Sequence, residues 1–180
     1  MKLPTVYVPH LDHRLTALLS FTLRRNEGFF GPDHGESKRL GDVYRASLEG
    51  SGIMLRVLLE FLGIKSIQGP PPSLEPKNGT DARLGYNILR GIPPVDIFQI
   101  SAADAVRLAS LHDGISKRTG HPAFNKQGLG MDPVELEWAS IWVVTQIWNR
   151  CYAPDPIPIH RDVFRLLIAG TWNGVPFVVS

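Results

Sequence analysis

The sequence has few of the features that mark secreted or membrane proteins. It contains a single cysteine, Cys151, which excludes an internal disulfide and a cysteine-rich zinc site. Apolar runs are short, and the run from Ile141 to Val144 is far below the roughly 20 residues that cross a bilayer. No apolar stretch follows Lys2, so a secretory signal is not expected. These absences predict a cytoplasmic protein that does not enter a membrane.

The sequence also lacks an excess of charge of either sign. Its 19 Lys and Arg residues nearly balance 17 Asp and Glu residues, for a net charge of +2, which does not by itself predict nucleic-acid binding. The 180 residues, 43% of them hydrophobic, suffice for one domain with a substantial core. Because no internal repeat or shift in composition divides the chain, we expect a single helical domain over residues 1–180.

Several motifs of well-known catalytic sites are absent. The sequence contains no Gly-x-Ser-x-Gly, no phosphate-binding Gly-x-x-x-x-Gly-Lys-Ser/Thr and no His-Glu-x-x-His. His10 and His13 are three residues apart, but a metal site needs a third and a fourth ligand, so we interpret them as solvated. We therefore expect neither a metal nor a cofactor.

Helical periodicity dominates the pattern of apolar residues. It predicts helices over residues 9–25, 36–62, 101–119 and 132–150, with a short fifth helix over 162–169. Asp132, Pro133 and Glu135 together form a strong helix start of the capping-box type, and Ser101 with Asp104 forms a weaker one. The predicted fold class is all-α, a bundle of about four to five main helices with little or no sheet.

Two interruptions of the helical pattern stand out. Residues 69–100 are rich in proline and glycine but carry many apolar side chains, so we expect a long irregular segment packed over the bundle. Residues 50–52, Gly-Ser-Gly, place three small residues inside the second helix. Close approach of another helix, or a local kink, is the structural explanation of that notch.

Basic residues and histidines recur around the end of the third predicted helix. Arg107 and His112 form an Arg-x4-His pattern, and Lys117 and Arg118 precede His121. Arginine and lysine bind phosphate oxygens, and a histidine of ordinary pKa transfers protons near neutral pH. These are the groups that metal-independent RNA cleavage requires. The structural alternative is ordinary compensation of the helix dipole by Lys117 and Arg118.

A second polar pair lies on the second predicted helix. Arg56 and Glu60 are four residues apart, so they share a helix face and we expect them to pair. If this face meets the end of the helix that carries Lys117 and His121, the four side chains form one polar pocket in an apolar bundle. Such a pocket is either a structural network or a site, because buried charges require partners.

Two stretches resemble a known group of proteins. Residues 44–49 with residues 55–62, Leu-Arg-Val-Leu-Leu-Glu-Phe-Leu, resemble the first signature helix of small bacterial helical proteins. Residues 116–121, Ser-Lys-Arg-Thr-Gly-His, resemble their second signature, and Trp138 follows in a further helix as a tryptophan does there. Those proteins in turn resemble the HEPN superfamily of all-α domains. The resemblance covers roughly residues 40–150.

The HEPN resemblance implies a function. Proteins of that superfamily often dimerise and act as RNA-cleaving toxins or phage-defence factors, so we expect a homodimer that contacts RNA, with an antitoxin or another protein as a further partner. The expected activity is that of a metal-independent endoribonuclease. The residues assigned to it are His121, Arg56, Lys117 and Glu60 for catalysis, and Arg118, Arg107 and His112 for RNA binding, with His112 and Arg107 as the second choice for proton transfer.

Two other classes of function are compatible with the same sequence. A non-catalytic protein-interaction module would use the residue 50–52 notch and the 69–100 segment for packing or for an interface. A small-molecule pocket would be lined by Trp138, Trp142 and Trp148.

Overall fold

The computed structural model of the protein describes residues 8–26, 28–29, 38–76, 94–120, 131–147, 149–150, 171–172 and 175–176. Four helices dominate these residues, which confirms the predicted all-α class. In chain order the elements are α1 (Val8–Asn26), α2 (Lys38–Phe61), β1 (Ile64–Ile67), β2 (Ser73–Pro76), a 3-10 turn (Ile97–Gln99), α3 (Ala102–Gly120), α4 (Pro133–Ile147), β3 (Thr171–Trp172) and β4 (Val175–Pro176).

Two of the helices, α3 and α4, begin directly after their predicted capping residues. The Ser101 hydroxyl accepts a hydrogen bond from the backbone N–H of Asp104 at 3.1 Å, and the Asp132 carboxylate accepts one from Val134 at 2.8 Å. Glu135, expected to complete a capping box, instead accepts two hydrogen bonds from a side chain of α3. The helix predicted over 162–169 lies outside the described residues.

A small sheet joins residues 64–67, just before the region expected to be irregular, to residues 73–76 inside it. β1 and β2 are antiparallel, with Ile64 opposite Pro76 and Ile67 opposite Ser73. Four-residue strands offer too little alternation to be distinguished from loops in a sequence, which is why this sheet was not predicted individually. β3 and β4 form a second antiparallel pair, with Thr171 opposite Pro176. Residues 77–93, the middle of the predicted irregular segment, lie outside the described residues.

The helices enclose one hydrophobic core. α1 packs along α2, α4 contacts α1, α2 and α3, and α3 crosses both strands of the β1–β2 sheet as well as α2. The largest fully buried side chains come from all four helices and from β1, and they are Leu15, Leu18, Leu19, Phe21, Leu55, Leu58, Leu59, Ile64, Leu108, Ile115, Leu136 and Ile147. This packing holds the carboxyl end of α2, strand β1 and the middle of α3 together.

The Gly-Ser-Gly notch of α2 lies where α2 packs against α1. Ser51 is buried, and its hydroxyl donates to the backbone carbonyl of Ala17 at 3.2 Å while accepting from the N–H of Phe21 at 3.4 Å, so it binds the backbone of α1 directly. A Cβ atom at Gly52 would lie 2.3 Å from Cε of Met131. The prediction that these small residues permit close approach is confirmed.

A glycine ends α2 and fixes the segment that leads into α3. Gly63 has φ +81°, and a Cβ there would lie 2.5 Å from Cβ of Pro94. Next to it, the N–H of Val95 donates to the carbonyl of Leu62 at 2.9 Å. Pro94 and Val95 are therefore held against the end of α2.

Replacing Gly63 by alanine should destabilise the protein more than the same change at Gly28. Both glycines have positive φ, so each alanine incurs backbone strain of about 1 kcal/mol. Only at Gly63 does the new methyl group also meet Pro94, which should cost about 1–3 kcal/mol more. Urea unfolding of the two variants measures the difference. Equal losses would contradict the close approach of Pro94.

Candidate functional site

The carboxyl end of α2 carries the ion pair that the sequence predicted. Nε of Arg56 donates to Oε1 of Glu60 at 3.0 Å, four residues along the helix, and both side chains are partly exposed. Glu60 lies in the last turn of α2, and a turn at Leu62 and Gly63 follows the helix. The pairing is confirmed, and it holds the Glu60 carboxylate in one orientation.

His112 of α3 meets this carboxylate from the other side. Its Nε2 lies 3.9 Å from Oε1 of Glu60, and its Nδ1 is 2.8 Å from Oγ of Ser66 on β1. The residue is only 5% exposed. Arg56, Glu60, Ser66 and His112 form what we call the His112 cluster.

The two ring nitrogens of His112 have different surroundings. Nε2 is buried on the side of Glu60, whereas Nδ1 is bonded to the half-buried hydroxyl of Ser66. When the imidazole is protonated, the nearby carboxylate compensates its charge. Proton exchange between His112 and the surroundings therefore passes most directly through the Ser66 hydroxyl. The cluster can accept a proton on one side and balance the resulting charge on the other.

Arg107 belongs to a different set of contacts. Its Nε and Nη2 donate to the two carboxylate oxygens of Glu135, both at 2.9 Å, and its Cζ lies 3.7 Å from the centre of the Trp138 ring. The hydrogen bonds that Arg107 donates to Glu135 raise the pKa of Arg107 above its ordinary value. This arrangement clamps α3 to α4. Arg107 and His112, the second choice for proton transfer, are five residues apart, which sets their side chains about 140° apart around the helix.

The remaining predicted site residues are not described at the level of side chains. Lys117 and Arg118 belong to the last turns of α3, but the positions of their side chains lie outside the described part of the structure, and so does the whole of His121. The expected pocket that combines Arg56 and Glu60 with Lys117 and His121 therefore stays a prediction.

The aromatic residues of α4 do not share one pocket. A cleft of about 190 Å³ is lined by Trp142 together with Asp96, Asp104, Gln146 and Arg150. Trp138 instead contacts Arg107, and Trp148 lies outside the described residues. Of Trp138 and Trp142, Trp142 alone lines this polar cleft.

Sequence reasoning missed Ser66 as a partner of His112 and Glu135 as a partner of Arg107. Ser66 precedes its partner His112 by 46 residues, and nothing in the local pattern of a four-residue strand distinguishes it from other surface serines. Glu135 was noticed, but its position three residues after Asp132 indicated a cap rather than a partner for Arg107. Both contacts arise from tertiary packing, which periodicity does not encode.

Comparisons with protein-family models, with curated proteins and with solved structures found no match to this chain. The described part of the structure contains no group of three His, Cys, Asp or Glu side chains that could hold a metal ion. None of the described helices combines the length and the apolar character that a membrane crossing requires. The geometry of the His112 cluster is therefore the basis of the functional argument.

Changing Arg107 to lysine should destabilise the protein by about 1 kcal/mol, because lysine loses both the two-pronged bond to Glu135 and the planar stacking on Trp138. The matched control is Arg45→Lys, an exposed position on α2, where the change should stay within about 0.5 kcal/mol. Chemical denaturation of both variants measures this. Equal stabilities would remove the structural role from Arg107 and return it to the candidates for phosphate binding.

Proposed function

We propose that this chain is a HEPN-like helical protein that contacts RNA and cleaves it without a metal ion, as part of a toxin or phage-defence system. The observation that supports this best is the meeting of one imidazole, His112, and one guanidinium, Arg56, at a single carboxylate, Glu60. Proton transfer and charge stabilisation are what metal-independent cleavage of RNA requires, and these groups supply both.

The proposed reaction uses the ribose 2′-hydroxyl as nucleophile. Its proton passes through the Ser66 hydroxyl to Nδ1 of His112 while the 2′-oxygen attacks the adjacent phosphorus. The bond from phosphorus to the 5′-oxygen breaks, the leaving oxygen takes the proton from the imidazolium through the Ser66 hydroxyl, and a 2′,3′-cyclic phosphate forms. Arg56 stabilises the negative charge on the phosphate, and Glu60 stabilises the imidazolium.

The residues beyond His112 on the same helix extend this proposal. α3 continues for eight residues after His112 and carries Lys117 and Arg118 in its last turns. In the proposed complex they bind phosphates of the neighbouring nucleotides, and His121, just past the helix end, is the alternative proton-transfer group. Arg107, which is held by Glu135 and Trp138, contributes less to RNA binding in this arrangement.

The purified protein should cleave RNA in the presence of EDTA, and His112→Gln should reduce the rate by about 100-fold, the usual contribution of a general acid or base. The matched control is His13→Gln, an exposed histidine of α1, which should cleave as wild type does. Arg56→Gln should also slow cleavage, whereas Arg45→Gln on the same helix should not.

Melting temperatures of all variants separate a chemical loss from a folding defect, and Arg56→Gln decides the test if His112→Gln does not fold. His121→Ala completes the set: a loss of cleavage there, with His112→Gln fully active, would move the proton transfer to His121. Intact RNA at high protein concentration, or full activity in all these variants, would contradict the proposal.

One observation favours a second candidate, a non-catalytic interaction module that dimerises. Phe98 is 88% exposed, yet its backbone is fixed in the 3-10 turn, where its N–H donates to the carboxylate of Asp96 at 3.1 Å and Ile100 bonds back to Ile97. A large aromatic side chain presented by a fixed turn is typical of an anchor residue in an interface. The HEPN resemblance implies a second copy of the chain as the partner.

Light scattering of the purified protein should give the mass of a dimer, and Phe98→Ser should shift it to a monomer because it removes the apolar anchor. The control is Val43→Ser, at another exposed apolar position on α2. A strictly monomeric wild-type protein, or a dimer that Phe98→Ser leaves intact, would exclude Phe98 as the anchor of self-association.

A further inference from the structure

We propose that Ser66 is itself a nucleophile, activated by His112, and that it attacks the carbonyl carbon of an uncharged ester. This activity goes beyond RNA cleavage and does not depend on RNA binding. It rests on three groups in a row: the hydroxyl of Ser66, the imidazole of His112 and the carboxylate of Glu60.

The first contact in this row has the geometry that activation requires. Oγ of Ser66 lies 2.8 Å from Nδ1 of His112, within the range in which an imidazole takes the proton of a hydroxyl. Both partners are held by backbone structure. Ser66 is paired with Leu74 in the β1–β2 ladder, and His112 is in the middle of α3, which packs across that sheet.

The second contact is electrostatic, because 3.9 Å is too long for a hydrogen bond. Oε1 of Glu60 lies 3.9 Å from Nε2, the nitrogen on the other side of the ring, and Arg56 holds this carboxylate in place at 3.0 Å. A carboxylate there stabilises the imidazolium that forms when Ser66 loses its proton. Glu60 and Arg56 are positioning residues, whereas Ser66 and His112 take part in bond formation and proton transfer.

Exposure decides which atom of the cluster meets a substrate. Nε2 of His112 is buried, and its residue is only 5% exposed, so the imidazole is covered. Ser66 is half-buried, and the next residue on its strand, Ile67, is exposed. The hydroxyl of Ser66, not the imidazole, is therefore the reactive group that the cluster presents.

The surroundings of Ser66 favour an uncharged substrate. Leu74 lies directly opposite Ser66 and shares its face of the sheet, whereas the strand neighbours Lys65 and Ile67 point to the other face. Lys65 is paired with Glu75 at 2.6 Å on that other face. The side chain beside the hydroxyl is thus apolar, which suits the acyl group of an uncharged ester.

The reaction balances without any further reactant except water. A bond forms between Oγ and the carbonyl carbon while the hydroxyl proton moves to Nδ1. The carbon–oxygen bond to the alcohol then breaks, and the leaving oxygen takes the proton from the imidazolium. Water hydrolyses the acyl-Ser66 by the same proton path, and it releases the acid and restores the hydroxyl.

A fluorophosphonate probe tests the activated hydroxyl directly, since Oγ displaces fluoride from phosphorus and stays covalently bound. Intact-mass measurement should show one label per chain, and peptide mapping should locate it on Ser66. Ser66→Ala should abolish labelling, His112→Gln should slow it by about 100-fold, and Glu60→Gln should slow it by about 10-fold or more. Hydrolysis of p-nitrophenyl acetate should follow the same order.

The matched control is Ser116→Ala. The hydroxyl of Ser116 donates to the backbone carbonyl of His112 at 2.8 Å and does not bond to the imidazole, so labelling should be unchanged. If His112→Gln does not fold, Ser66→Ala and the partly exposed Glu60→Gln decide the result. An unlabelled wild-type protein, a label on another residue, or equal rates in wild type and Glu60→Gln would overturn the inference. Labelled Ser66 in a protein that leaves RNA intact would support it and overturn the ribonuclease proposal alone.

Discussion

The buried imidazole of His112 contacts polar residues of two other elements of the fold. His112 is 5% exposed within an apolar bundle, and a buried polar group that loses its partner costs about 1–3 kcal/mol. Its neighbours are Glu60 and Ser66, from two elements that follow each other in the chain, α2 and β1. α3 can therefore lie across the end of α2 and the small sheet in only one register without breaking these contacts. Gly63, which admits Pro94 beside the end of α2, holds the chain that leads into α3 against the same place.

The parts of this structure that the sequence predicted depend on neighbours along the chain. Helix bounds followed from periodicity and from caps such as Ser101 and Asp132, and the Arg56–Glu60 pair followed from a four-residue spacing. The parts that were missed depend on distant neighbours. Ser66 reaches His112 across 46 residues, and the contact depends on a sheet too short to give a clear alternation. A local pattern does not contain the packing of α3 on that sheet. The sequence therefore predicted the Arg56–Glu60 pair but not the contact between Ser66 and His112.

Arg107 and Arg56 differ in the contacts that hold their guanidinium groups. Arg107 is fixed by two hydrogen bonds to Glu135 and by stacking on Trp138, so a phosphate would have to displace an ion pair of matched geometry. Arg56 donates through Nε to one oxygen of Glu60, four residues along its own helix. A guanidinium that binds both oxygens of a carboxylate on another helix is a structural clamp. This difference is why the proposed phosphate contact lies with Arg56 rather than with the Arg-x4-His pattern.

The same first step underlies both activities that we propose for the His112 cluster. In each, the proton on Oγ of Ser66 moves to Nδ1 of His112, and Glu60 balances the charge that appears on the ring. The activities differ in what Oγ does next. As a relay it takes a proton from a ribose hydroxyl and is unchanged, whereas as a nucleophile it keeps the acyl group until water removes it. Because the imidazole is covered, neither route lets a substrate touch His112 first, and the chemistry of the cluster depends on the one hydroxyl in front of it.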